Sequence, residues 1–218
     1  MHRVSAKPGT YPGAICTLKK AEEIAGSLGR PSKMPGYSYV LPARRCQVGS
    51  VLVKLPNTVC SKCYALKGNY RFPSIQASLE RRWQSIQDPR WVEAMTFMIR
   101  FRACEFFRWH DSGDLAGIEH LRKIADVAVR CPKTRFWLPT REKKTVDEFL
   151  AVDGPFPKNL VVRLSATLID GPPPVGYPNT STVVTSNATC PAHLQNNECG
   201  PCRACWNPKR KNVSYRKH

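Results

Sequence analysis

The sequence predicts an α/β fold, specifically a partial or irregular (βα) barrel-like arrangement with mostly parallel strands and a cysteine-rich C-terminal segment. Short runs of aromatic and β-branched residues recur near residues 37, 105, 135, 160 and 182, and segments of helical periodicity separate most of them. Strands that alternate with helices form parallel βαβ units. The Pro- and Gly-rich stretch 170–178 cannot form a regular helix, so we expect the barrel to be incomplete there.

The first half of the chain is predicted to contain three helices and one strand. Residues 17–28 carry apolar side chains at helical spacing, and Gly29 follows as a stop signal. Residues 37–41 (YSYVL) form a candidate strand. Two helices are expected within residues 74–104, separated by Asp88 and Pro89, which fit an N-cap followed by proline at the first helical position.

The second half alternates more regularly. The predicted strands are residues 104–109, 135–138, 160–165 and 182–185. A helix over 115–130 is expected to take Asp114 as its N-cap, and the capping box from Thr145 to Glu148 predicts the start of another helix. We expect one domain over residues 1–206 and a basic tail over 207–218, which has no acidic residue.

The charge balance points to a polyanionic partner. The chain has 34 Lys and Arg against 16 Asp and Glu, a formal net charge of +18 over 218 residues. Nucleic acid is the favoured partner and an anionic membrane surface the less favoured one. The basic residues are dispersed and form no familiar recognition motif, so we expect salt-sensitive phosphate contacts. No secretion signal or membrane-length apolar stretch is evident, which predicts a cytoplasmic protein.

Ten cysteines in a cytoplasmic chain indicate metal binding, because thiols stay reduced in that compartment. Cys199, Cys202 and Cys205 follow one another at intervals of three residues, which resembles the first three ligands of the ferredoxin run C-x2-C-x2-C. A single zinc ion normally uses two pairs separated by a longer spacer. The spacing therefore favours an iron–sulfur cluster over zinc, with Cys190 or an N-terminal cysteine as candidate fourth ligand.

A second group consists of Cys46, Cys60 and Cys63, which come after the first predicted strand. In an α/β barrel this position is at the mouth, where a cluster can meet a substrate. Lys62 and Lys67 favour the deprotonated form of the nearby thiols. The seven thiols of the two groups fit either one four-ligand site plus one open three-ligand site, or a single shared cluster.

The remaining cysteines are Cys16, Cys104 and Cys131. Cys104 and Cys131 flank predicted elements and are expected to pack in the core, since free cysteine is among the most buried residue types. No role is assigned to Cys16. A disulfide-stapled extracellular protein is the third alternative for the ten cysteines.

Polar residues follow several predicted strands and are expected to surround the same mouth. His110 and Asp111 are candidate catalytic residues, either as an acid/base pair or as hydrogen-bond partners of a cluster, and Arg141 is a third candidate. Arg163 and Ser165 are candidate cofactor-binding residues, because arginine binds phosphate or carboxylate through paired hydrogen bonds. Structural salt bridges are the alternative role for the arginines.

Four motifs together resemble a phage- and plasmid-borne family, the gene product 88 family. They are Cys60-x-x-Cys63-Tyr64-Ala65 with Gly68-Asn69-Tyr70, His110-Asp-Ser-Gly-Asp114, Thr140-Arg-Glu-Lys143, and Cys199-x-x-Cys202-x-x-Cys205-Trp206. The resemblance covers roughly residues 36 to 206. It implies a bacteriophage protein, located in the host cytoplasm, with an iron–sulfur cluster on a barrel-like α/β fold.

The cysteines after the first strand are also distantly similar to those of radical S-adenosylmethionine enzymes, which hold a [4Fe-4S] cluster in the loop at this position. Those enzymes use C-x3-C-x2-C, whereas this chain has thirteen residues between Cys46 and Cys60 and two between Cys60 and Cys63. The departure argues against S-adenosylmethionine as a cofactor.

We therefore expect an iron–sulfur protein that uses a [4Fe-4S] cluster, at one or two metal sites, for redox or radical-type chemistry. Nucleic acid is a candidate partner, and the small-molecule substrate is left open, as is whether the protein is an enzyme. The competing interpretation is a zinc-stabilised nucleic-acid-binding protein without catalysis.

Overall fold

A computed structural model describes residue 15 and residues 17–217, and six α-helices and six strands form its framework. The helices are α1 (Leu18–Ala25), α2 (Gln47–Leu52), α3 (Pro73–Ser85), α4 (Trp91–Phe101), α5 (Ile118–Arg130) and α6 (Lys143–Val152). The strands are β1 (Tyr37–Tyr39), β2 (Phe106–Trp109), β3 (Arg135–Thr140), β4 (Leu160–Ile169), β5 (Thr180–Val184) and β6 (Asn212–Arg216). None of these six helices is long and apolar enough to span a membrane.

All six strands belong to one parallel sheet, and their order in the sheet is their order in the chain. Within the described residues β1 and β6 are its two edges, so the sheet is open. An open sheet of sequential parallel strands is the partial barrel that the alternation of strands and helices predicted. Its carboxyl-terminal edge, here called the mouth, is where functional groups collect in such folds.

The main core lies between the helices and one face of the sheet, here called the outer face. Alternate strand residues point to the same face, so Phe107 and Trp109 of β2 lie beside Phe136 and Leu138 of β3. All four side chains are fully buried against apolar residues of α4, α5 and their neighbours. Burial of this apolar surface is the main stabilising contribution to the fold.

The inner face of the sheet is covered by the C-terminal segment. Phe106 and Trp137 point to this face and pack against Cys205 and Trp206, and the Trp206 indole donates a hydrogen bond to the Phe107 carbonyl at 2.9 Å. The β5–β6 connection therefore crosses the inner face, whereas α5, which connects β2 to β3, crosses the outer face. Both connections lead to the next strand in the same direction along the sheet, but they cross opposite faces, so the two crossovers have opposite hands. Parallel crossovers are nearly always right-handed, so one of these two departs from the rule.

The segment predicted as a basic tail contributes the edge strand β6. Its main chain pairs with β5 over Asn212–Arg216. Val213 is buried on the inner face, and the Tyr215 ring stacks near Trp137 with centroids 6.2 Å apart. Only these two inward side chains mark the strand in the sequence, and the flanking Lys and Arg residues mask that short alternation.

Asp114 does not cap a helix as predicted, because α5 begins at Ile118 after Gly117. The Asp114 carboxylate instead accepts hydrogen bonds from the Thr140 hydroxyl at 2.6 Å and the Arg141 amide at 2.9 Å. Adjacent parallel strands end side by side, so a residue that follows β2 lies next to residues that end β3. Asp114 therefore makes a tertiary contact with the end of β3 instead of capping the next helix.

Helix α6 begins at Lys143, two residues before the predicted capping box, and Glu142 precedes it. Helix α4 begins at Trp91 rather than at Pro89, and the Asp88 carboxylate accepts a hydrogen bond from the Arg90 amide at 2.8 Å. Both shifts are within the usual uncertainty of helix ends.

Candidate functional site

Cys46, Cys60 and Cys63 form a three-thiol group at the mouth. Cys46 directly precedes α2, and the other two follow α2 in the long connection between β1 and β2. This connection is fastened to the end of β4, where the Val59 amide donates to the Thr167 carbonyl at 2.9 Å. Backbone hydrogen bonds therefore hold Cys60 beside a strand that lies three positions from β1 in the sheet.

Gly49 leaves a space between two of these thiols. A Cβ atom on Gly49 would lie 2.9 Å from the Cβ of Cys46, 3.6 Å from its Sγ, and 3.9 Å from the Sγ of Cys60. Cβ contacts below 3.0 Å essentially do not occur, so a side chain at this position requires the structure to shift. Both sulfurs face a shared space that only glycine keeps free.

Carboxylates and an arginine surround the three-thiol group. Burial is the main cause that raises the pKa of Cys46, and the nearby Asp114, Cys63 and Cys60 raise it further. Burial also raises the pKa of Cys60, whereas the Arg141 guanidinium lowers it. The thiols of Cys46 and Cys60 are therefore protonated without a bound cation, and a metal that replaces the protons would relieve the unfavourable charge interactions.

A four-thiol group is formed by the cysteine-rich segment at the inner face. The Cys190 amide donates to the Ser214 carbonyl of β6, and the Cys199 amide donates to the Lys33 carbonyl, both at 2.9 Å. The Cys205 Sγ lies 3.2 Å from the Tyr215 hydroxyl. These contacts position the segment between β6 and the chain that precedes β1.

The thiols of this group affect one another's ionisation. Burial raises the pKa of Cys199, and neighbouring Cys190 and Cys202 raise it further. Burial raises the pKa of Cys205 to about 12, with smaller upward contributions from Cys190 and Cys199. The seven cysteines predicted as ligands thus fall into a group of three and a group of four, within which thiols influence one another electrostatically.

Arg108, on the inner face of β2, acts on the four-thiol group and on a residue next to the three-thiol group. Its guanidinium carbon lies 4.7 Å from the centroid of the Trp137 ring. The positive charge lowers the pKa of Cys199 on one side and of Tyr64, the residue after Cys63, on the other. Sequence reasoning missed Arg108, although strand alternation in FFRW turns it away from the buried Phe107 and Trp109.

The family of the chain follows from a comparison with family models. The model described as Gene product 88 matches residues 16–208. The chain belongs to the gene product 88 family. The match includes all seven predicted ligands and ends before β6. No curated protein and no solved structure gives a significant match.

In this gene product 88 family member, His110 lies immediately after β2 with a left-handed φ of 58°, a conformation that histidine adopts more often than most residues. The side chain is buried, its ring lies 5.1 Å from that of His120, and burial lowers the pKa of His110 to about 3. Burial raises the pKa of Asp111, and Arg108 lowers it. The predicted catalytic roles of His110 and Asp111 stay predictions.

Arg141 and Arg163, the two predicted arginines, have different surroundings. The Arg141 Nε donates to the Ala166 carbonyl at 3.3 Å, and its charge acts on Cys60 at the mouth. Arg163 is fully buried on the inner face, where its guanidinium donates to backbone carbonyls. The acceptors are those of Thr180, Ala204, Cys205, Asn207, Arg210 and Lys211.

These hydrogen bonds give Arg163 a structural role in holding the C-terminal segment. The Ser165 hydroxyl lies 2.8 Å from that of Ser181 on the neighbouring strand. The predicted roles of Arg163 and Ser165 in binding a cofactor, like that of Arg141 in catalysis, are still predictions.

Nine cysteines lie in the described part of the chain, and all nine are free thiols. Cys104 and Cys131 are buried, as expected for core residues. Cys16 lies outside the described residues. Within residues 15 and 17–217, no three His, Cys, Asp or Glu side chains are gathered closely enough to hold a metal ion as they stand.

Proposed function

We propose that this gene product 88 family member is an iron–sulfur protein that carries two [4Fe-4S] clusters for redox or radical-type chemistry. Cys46, Cys60 and Cys63 would hold one cluster, at the mouth. The second would be held by the four-thiol group, Cys190, Cys199, Cys202 and Cys205. The observation that carries the proposal is the separation of seven thiols into a group of three at the mouth, where Gly49 leaves space beside two sulfurs, and a group of four at the inner face.

The donor set suits iron–sulfur clusters. Each group consists of thiols, the ligands that bind these clusters, and in the three-thiol group Gly49 leaves space beside the sulfurs of Cys46 and Cys60. Sulfurs around one tetrahedral zinc ion lie roughly 3.8 Å apart, as follows from a Zn–S distance of about 2.3 Å. Each iron of a four-iron cluster takes its own thiolate, so cluster ligands lie further apart.

The two groups suit different tasks. Three thiolates would leave one iron of a cluster without a protein ligand and open to a molecule that enters from the mouth, whereas four thiolates would supply a ligand to every iron and suit electron transfer. The protein residues supply the surroundings. Arg141 and Arg108 bring positive charge beside the thiols, and the Tyr215 hydroxyl, 3.2 Å from the Cys205 sulfur, is placed to tune the potential of the four-thiol site.

The test is metal analysis of protein purified without oxygen. We expect a brown protein with about eight irons and eight sulfides per chain, two four-iron clusters. Joint substitution of Cys46, Cys60 and Cys63 by Ser should remove about half of the iron and sulfide, and joint substitution of Cys199, Cys202 and Cys205 should remove the other half.

Cys104→Ser and Cys131→Ser are the matched controls, because both thiols are buried away from the two groups and should leave the metal content unchanged. A colourless protein with stoichiometric zinc and no sulfide would overturn the proposal in favour of the zinc-stabilised alternative. Loss of all iron from either triple variant would show one shared cluster instead of two.

A further inference from the structure

An open cleft of about 600 Å³ lies beside the three-thiol group. We call it the tyrosine cleft. Two short 3₁₀ turns, Tyr64–Leu66 and Gly68–Arg71, form its walls between Cys63 and α3. Its lining residues are Lys62, Tyr64, Lys67, Gly68, Asn69 and Tyr70.

The two tyrosines are anchored while their rings remain accessible. The Tyr64 hydroxyl donates a hydrogen bond to the Asp111 carbonyl, yet 57% of the residue is exposed. The half-buried Tyr70 ring meets it edge to face with centroids 6.0 Å apart. Exposed aromatic rings that are already fixed lose little conformational entropy on binding, which suits the stacking of nucleobases.

The chain segment that forms the cleft carries only positive charges, and Asp111 is a carboxylate that acts on its two tyrosines from outside the segment. Residues 40–79 contain six Lys and Arg and no Asp or Glu. Among the ion pairs of the described residues, Arg45 pairs with Glu80, whereas Lys62, Lys67 and Arg71 have no carboxylate within ion-pair distance. Free cations beside stacking rings are the combination that binds a phosphate backbone and its bases together.

We propose that the tyrosine cleft binds single-stranded nucleic acid, with bases stacked on Tyr64 and Tyr70 and phosphates paired with Lys62 and Lys67. A duplex does not fit this chemistry, because its bases are stacked on one another and unavailable to protein rings. The proposed binding of nucleic acid does not depend on the proposed function. Only the statement that the bound nucleic acid lies next to an open cluster rests on it.

The experiment measures fluorescence anisotropy of a labelled single-stranded oligonucleotide of about 12 nucleotides, within the site sizes typical of such proteins. The joint variant Lys62→Ala and Lys67→Ala should bind at least tenfold more weakly than wild type. The slope of log affinity against log salt should decrease in magnitude by about 1.4, since each phosphate contact on a single strand contributes about 0.7.

The matched control is the joint variant Lys133→Ala and Lys158→Ala. Both lysines are exposed and precede β3 and β4, at the edge of the sheet opposite the mouth, so the variant removes the same charge from another place. It should change the affinity by less than about twofold. Equal weakening by both lysine pairs would overturn the inference, because binding would then follow net charge alone.

Stacking is tested at Tyr70. Tyr70→Leu should weaken binding about fivefold or more with an unchanged salt slope, and Tyr70→Phe should restore most of the affinity because it keeps the ring. Equal affinity of Tyr70→Leu and wild type would contradict the proposal. Tighter binding to a duplex, or to vesicles of anionic lipid, would contradict it as well and identify a different partner.

Iron and sulfide are measured in every sample, which separates this inference from the proposed function. Specific loss of binding in the cleft variants of a protein without clusters would uphold the inference and overturn the proposed function. Full clusters with wild-type binding in the cleft variants would do the reverse.

Discussion

The Glu142 carboxylate accepts a hydrogen bond from the backbone amide of Val48 at 3.0 Å. These residues are 94 positions apart in the chain. The contact joins the turn after β3 to the first turn of α2, immediately after Cys46. The position of the Cys46 thiol at the mouth therefore depends on a residue that follows another strand.

Glu142→Ala should lower the free energy of unfolding by about 1–3 kcal/mol, because it leaves the Val48 amide without its partner. Glu142→Gln keeps an oxygen acceptor and should lose less. Urea titration followed by tryptophan fluorescence measures both. Equal losses of unfolding free energy in the two variants would show that the hydrogen bond between Val48 and Glu142 does not cause the loss.

Gly49→Ala should remove iron, because the structure around Cys46 must shift to accept the added Cβ. Alanine in a helix is favoured over glycine by up to about 1 kcal/mol, but its Cβ would enter the space beside the sulfurs of Cys46 and Cys60. We expect the anaerobically purified variant to lose about half of its iron. Ser50→Ala, in the same helix and exposed, is the control. Full iron content in Gly49→Ala would argue against a cluster at this space.

Arg163→Gln should release the C-terminal segment. The truncation leaves several carbonyls of residues 204–211 without their donor, so the free energy of unfolding should fall by about 3 kcal/mol or more. Hydrogen exchange should increase most in residues 190–216. Unchanged protection of that segment would mean that other contacts suffice to hold it.

Buried histidines should make stability depend on pH. Burial lowers the pKa of His120 well below its usual value, and its Nδ1 accepts a hydrogen bond from the Ala116 amide at 3.2 Å, which requires an unprotonated nitrogen. The unfolded chain takes up a proton below about pH 6.5, so the stabilising effect of the neutral ring is present above that pH and is lost as the pH falls.

The measurement compares wild type with His120→Gln from pH 7.5 to 5. The stability of wild type relative to the variant should decrease by about 1.4 kcal/mol per pH unit below about pH 6. Titrating carboxylates are common to both proteins and cancel in the difference. A difference that does not change with pH would contradict a neutral, buried His120.

The parallel sheet was predictable because each of its first five strands has a distinct aromatic or β-branched run in the sequence. β6 was not, since only Val213 and Tyr215 mark it. The two cysteine groups were predictable from chain spacing and from the position of Cys46 after β1.

The surroundings of the cysteine groups were not predictable. The partners of Glu142, Arg163 and Asp114 lie 17 to 94 residues away and meet them only through the order of strands in the sheet. Local sequence patterns indicate helix periodicity and turns, but they do not indicate which turns are neighbours in the fold. For that reason Asp114 looked like a helix cap in the sequence and is a link between two strand ends in the fold.

The β5–β6 connection has a consequence for synthesis. The four cysteines of the C-terminal segment leave the ribosome before β6, the strand whose Ser214 carbonyl and Tyr215 hydroxyl contact Cys190 and Cys205. Under the proposed function, iron delivered to these thiols during translation would meet a segment that β6 does not yet hold. Loading of the four-thiol group would then come before the contacts with β6 fix it in place.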